Sequence, residues 1–130
     1  MSIIDIQKTL LTELNSITPT IDTAYANYEF IPTTGVPYQV ISFLYSRPIN
    51  YIQRGYIQQG FMQVDLMYPT MLGAGGGLAR AELLRSKFKS GDVYSSIQIT
   101  ATPEIKIIGN EDDRFKITVF VNFSKYMTEI

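Results

Sequence analysis

Along residues 2–17 the apolar side chains Ile3, Ile6, Leu10, Leu14 and Ile17 recur at spacings of three and four, while Gln7, Lys8, Thr12 and Glu13 fall off that stripe. This period predicts an amphipathic helix. Ser2 is placed to cap it, Asp5 to return the hydrogen bond, and Pro19 lies just beyond its end. The pattern then changes to a period of two. Residues 24–31 predict a short strand, and 37–46, rich in aromatic and β-branched residues with apolar side chains at both parities, a strand buried on both faces. In 61–68, Met62, Val64, Leu66 and Tyr68 share one face and Gln63 and Asp65 the other.

A second helix is expected over 78–88, with Leu78, Ala81, Leu84 and Phe88 inward, Arg80, Arg85 and Lys87 in solvent, and Gly91 as the stop. Two further strands, 96–108 and 114–126, flank the sequence GNEDD. In the second of these Phe115, Ile117, Val119, Val121 and Phe123 alternate with Lys116, Thr118, Asn122 and Ser124, so the first set is expected to be buried. Phe120 and Tyr126 are the two exceptions on the outward side. The expected order is α-β-β-β-α-β-β. It describes a single α+β domain over residues 1–130, with a mostly antiparallel (mixed) sheet packed against two helices.

Composition removes several kinds of chemistry. The 130 residues include no cysteine and no histidine, which excludes thiolate and imidazole as nucleophile, base or metal ligand. No apolar run reaches the roughly 18 residues of a membrane span. The N-terminus, which carries Asp5 and Glu13, is not expected to be a signal peptide. With 11 basic and 12 acidic residues the net charge is −1, whereas a general nucleic-acid binder is clearly basic. The expectation is a protein that is not an enzyme and uses no cofactor or metal.

Four stretches could still carry a site. Gly73, Gly75, Gly76 and Gly77 stand between a strand and a helix, where phosphate-binding loops occur. The dinucleotide pattern fails at Leu78, its acidic partner would be Asp92 in a loop, and no Gly-Lys-Ser/Thr follows. A bent structural loop is therefore expected. Glu111, Asp112 and Asp113 are consecutive, so they do not converge as the alternating acids of a cation loop do, and a solvated hairpin tip is expected. Lys116, Phe120, Val121 and Phe123 echo the aromatic strand of an RNA-recognition module, but Ile117 and Val119 occupy its small positions. The fourth stretch, YSRPINYIQRGYIQQG over 45–60, lies in a span with no acid between Glu29 and Asp65. Its Arg47, Tyr51, Arg54 and Tyr56 have the composition of a protein–protein contact, with single-stranded nucleic acid as the rival occupant. The hairpin is expected to project from the sheet, with Arg54 and Tyr56 on no inward stripe.

The N-terminal helix, GFMQVDLMYP over 60–69, GAGGGLARAELLRSKF over 73–88 and DDRFKITVFVNF over 112–123 together resemble the tail terminator-like proteins of long-tailed bacteriophages and prophages. The matching residues Gln63, Val64, Gly73, Gly75, Ala79 and Phe88 are structural in character. The resemblance implies a virion protein, assembled in the host cytoplasm as a hexameric ring on the head-proximal end of the tail tube. It implies contact with the tail tube protein and a head-completion protein, no catalytic centre, no membrane and no specific nucleic acid. Another tail or neck ring protein, such as a tube subunit or connector stopper, and a small nucleic-acid-binding domain are the alternatives.

Overall fold

The computed structural model describes residues 3–18, 20–25, 31, 35–69, 73–111 and 114–128. Ser2, Pro19, most of the strand expected to end at residue 31, and Asp112 and Asp113 lie outside the described residues. The elements run α1 (Ile3–Asn15), β1 (Asp22–Tyr25), β2 (Tyr38–Tyr45), β3 (Ile49–Ile52), β4 (Gly55–Pro69), α2 (Gly73–Lys87), β5 (Val93–Tyr94), β6 (Ile97–Ile99), β7 (Glu104–Glu111) and β8 (Arg114–Thr128). The strands form one mixed sheet in the order β1-β2-β4-β8-β6-β5, with β3 also on β4 and β7 also on β8. Only the β1–β2 pairing among the described strands is parallel. The domain is α+β, with more strands than the sequence pattern predicts.

The frame is the β4–β8 ribbon, two 15-residue strands paired from Gly55↔Thr128 to Pro69↔Arg114. At about 3.4 Å per residue it is roughly 50 Å long. Its register places Met62 opposite Val121, Val64 opposite Val119 and Leu66 opposite Ile117, so two alternating patterns fuse into one apolar face. Ile6, Leu10 and Leu14 of α1, Ala81 and Leu84 of α2 and Phe88 just after it pack on it, and all of these side chains are buried. Each fully buried aliphatic or aromatic side chain contributes about 1.5–3 kcal/mol. The expected inward stripe of β8 is buried except for Phe115, which is half-buried at the margin. Glu13 and Lys87, 2.8 Å apart, tie the two helices together.

Both outer strands break at one level. β2 leaves the ladder after Tyr45 and resumes along β4 as β3, while β6 leaves after Ile99 and resumes along β8 as β7. The stretch 96–108, expected as one strand, is therefore interrupted at 100–103, where Pro103 cannot donate to a ladder. Arg85 of α2 donates through Nε to the Pro103 carbonyl at 3.2 Å and fixes the break. Gly60 lies at the same level in β4. A Cβ there would stand 2.3 Å from the Leu44 carbonyl oxygen, so only glycine permits this approach of β2 to β4.

The glycine run corrects an expectation. Gly73, Gly75, Gly76 and Gly77 belong to the first turns of α2, which begins at Gly73 and not at residue 78. A Cβ on Gly77 would lie 2.8 Å from Ile117 Cδ1, and one on Gly76 would lie 3.3 Å from the Tyr68 ring. Two of the glycines thus let the helix settle close to the sheet. Starting the helix five residues earlier brings Gly77 into line with Ala81, Leu84 and Phe88. Arg80, expected in solvent, is buried instead, and desolvation lowers its pKa.

Candidate interaction surface

Paired residues on neighbouring strands point the same way. The face opposite the helices therefore carries Leu44, Phe61, Gln63, Asp65, Thr118, Phe120, Asn122 and Tyr126, and no described helix covers it. Its middle is polar and internally bonded. Thr118 Oγ1 donates to Asp65 Oδ1 at 2.8 Å, and Gln63 Nε2 donates to the same oxygen at 3.1 Å. At one end Arg114 is buried, lies 5.0 Å from the Tyr38 ring centroid and donates to the Val36 carbonyl.

The other end is apolar and exposed. Ile49 pairs with Ile57, and Ile57 with Tyr126, so all three point to the open face. Tyr51 is the extra residue of a β-bulge between Asn50 and Ile52, and it turns across the strand. A Cβ on Gly55 would lie 2.6 Å from Ile52 Cγ1 and 2.9 Å from Tyr51 Cζ, so this glycine lets both side chains fold over β4. Tyr51 and Tyr126 meet edge to face, their centroids 5.6 Å apart at 89°. Ile52 and Tyr126 are each 64% exposed. The turn that closes β3 on β4 is Gln53-Arg54, with Arg54 at φ 64°, a left-handed conformation that disfavours a side chain.

The four hairpin residues singled out in the sequence are not brought to one place. The stretch 46–59 does not stand clear of the sheet but continues it, because residues 55–59 pair with 124–128 of β8. Tyr51 faces the open side and Arg54 occupies the turn. Tyr56 pairs with Met127 on the helix side, half-buried against the core, which corrects the expectation that it lies on no inward stripe. Arg47 and Tyr56 line a groove with Pro48, Asn50 and Gln58. Composition marked the hairpin, but the exposed set also includes Leu44, Ile49, Ile52 and Tyr126. The one available signal for these was the outward placement of Phe120 and Tyr126 in an otherwise polar stripe. Phe120 packs edge-on against Phe61 at 5.4 Å.

A second groove, of about 340 Å³, lies where both outer strands break, lined by Leu44, Phe61 and Asn122 of the uncovered face, by Ala101 of the break, and by Tyr45 and Phe123 of the helix-facing register. Glu104 and Lys106 stand beside it, next to Phe61 and Phe120. Among the described residues no group of three carboxylates converges on a point that could hold a metal ion. No described helix is long and apolar enough to cross a membrane. On the helix side, Lys125 is buried and donates to the Ser95 carbonyl at 2.8 Å. Burial lowers its pKa, opposed by the charge of Asp5. The bond holds the Ser95-Ser96 turn, where both residues have positive φ without being glycine.

Comparison with known proteins gives a fold. No family model matches the chain, and no curated protein matches it. Eight chains of known structure match. One of them, whose name states no function, superposes on all of this chain and on 97% of its own length, with a TM-score of 0.69 at 20% identity. At that identity the likeness extends to the fold alone. It runs from end to end, so the whole α+β arrangement is shared.

Proposed function

We propose that this chain is a ring-forming assembly subunit of the tail terminator type. In this reading it caps the head-proximal end of a phage tail tube, ends polymerisation of the tube protein and offers a surface to a head-completion protein. The particular family rests on the sequence resemblance. The observation that carries the broader reading, an assembly protein, is the open sheet face. A one-sided sheet ordinarily turns polar residues to solvent. Here Leu44, Ile49, Tyr51, Ile52 and Tyr126 lie exposed on that face, 46–64% accessible, and so many large apolar side chains left in solvent on one face mark a protein contact.

A nucleic-acid-binding domain is the weaker reading. Among the described residues the open face and its edges mix Asp22, Asp65 and Glu104 with Lys106, Arg114 and Lys116, so no continuous basic track runs along it. Tyr51 and Tyr126 point edge to face at each other, which withdraws one ring face from stacking. The alternative ring proteins of a tail or neck share the same surface logic. Adding the purified chain to polymerising tail-tube protein separates them. A terminator shortens tubes and remains at one end in electron micrographs, a tube subunit lengthens them, and a stopper leaves tube length unchanged. Unchanged tubes without end-bound protein would remove the terminator reading.

A further inference from the structure

The open face holds both halves of a contact that one molecule cannot make with itself. The protruding half is the hairpin tip, with Ile52 and Tyr51 folded over Gly55 and Arg54 in the turn. The receiving half is the groove of about 340 Å³ walled by Leu44, Phe61, Ala101 and Asn122. An enclosed cavity of about 150 Å³ already holds a benzene, so the groove has room for a large apolar side chain. Gly55 and Phe61 lie on one strand, six residues and roughly 20 Å apart, so the tip cannot reach its own groove. Another molecule must fill it.

Charge decides how that molecule is oriented. Residues 46–58 contain Arg47 and Arg54 and no acid. Two hairpins meeting about a two-fold axis would bring arginines of the same sign together, an arrangement that disfavours association. The groove margin instead offers Glu104, an exposed carboxylate, with Lys106 two residues further on. We propose that the hairpin tip of one copy of this chain seats in the Leu44–Phe61–Ala101 groove of the next, with Arg54 facing Glu104. Such a contact is head-to-tail, and a repeated head-to-tail contact generates a ring where the rotation closes. The inference rests on the assembly reading above and gives it a specific interface.

The absence of native cysteine makes the test clean. Ile52→Cys and Ala101→Cys replace two exposed residues, one on each half of the contact. Under mild oxidation each variant alone is expected to stay uncrosslinked, while the mixture forms covalent dimers and a chain carrying both forms ladders. Glu104→Lys should weaken association by roughly two- to fivefold, as one partly exposed charge pair allows, and Lys106→Glu should strengthen it by a similar factor. Crosslinking of Ile52→Cys with itself would establish a two-fold contact and overturn the proposal. Self-association in sedimentation without crosslinks in the mixture would overturn the interface and leave the assembly reading standing. A chain that is monomeric at every concentration would sink both.

Discussion

The two faces of the β4–β8 ribbon are built from the same two strands, yet they follow opposite rules. Toward the helices, Met62, Val64, Leu66, Ile117, Val119 and Val121 are fully buried among side chains of α1 and α2. Toward the open side, a bonded Gln63–Asp65–Thr118 cluster occupies the middle, and apolar residues are left in solvent toward the hairpin end. The first face is complete within one chain. The second has apolar area that folding of one chain does not cover. The difference teaches that burial holds this fold together on one side and leaves apolar side chains in solvent on the other.

The largest effect should come from damaging the covered face. Val119→Asp places an unpaired carboxylate among Val64, Ile105 and the helices, and is expected to cost about 4 kcal/mol or more, enough to leave the chain largely unfolded. A thermal melt within a degree or two of the parent would mean that the face is assigned wrongly. Gly60→Ala tests the bend that creates the groove. The added methyl meets the Leu44 carbonyl, a backbone atom with little freedom to move, and a loss of about 1–3 kcal/mol in denaturant unfolding is expected.

Opposite in kind is Tyr126→Ser combined with Ile52→Ser. Both residues are mostly exposed, so the monomer should unfold within about 0.5 kcal/mol of the parent per substitution. Association should fall by roughly 2 kcal/mol, or about thirtyfold, where either residue is a central anchor. Sedimentation and chemical melts on one sample read the two quantities together. The smallest effect is a gain. Gly75→Ala fills open space in the first turns of α2 and should stabilise by about 0.5–1 kcal/mol, measured as a raised urea midpoint at unchanged slope.

The covered face was legible in the sequence because burial imposes a period. The stripes Ile6–Leu10–Leu14 and Ile117–Val119–Val121 could be read without a structure, and the packing follows them. The start of α2 was not legible. Glycine lowers helix propensity, and the packing reason for glycine at 76 and 77, the approach to Tyr68 and Ile117, is visible only in the fold. Nor could sequence show that 46–58 continues the sheet, because that depends on pairing with residues 124–128 from the far end of the chain. Tyr56 and Tyr51, five residues apart, looked equivalent in composition. Pairing alone decides their faces, since Tyr56 stands opposite Asn50 on the helix side, and the bulge at Tyr51 then brings Ile52 to the open side beside it.

The central claim is that the open face is an assembly surface, and sedimentation equilibrium over a wide concentration range tests it most directly. The parent chain should show a mass rising with concentration well above the 14.7 kDa of one copy. The Ile52→Ser, Tyr126→Ser variant should remain near that mass while melting like the parent. A parent that stays at one copy throughout, or a variant that associates as the parent does, would contradict the account.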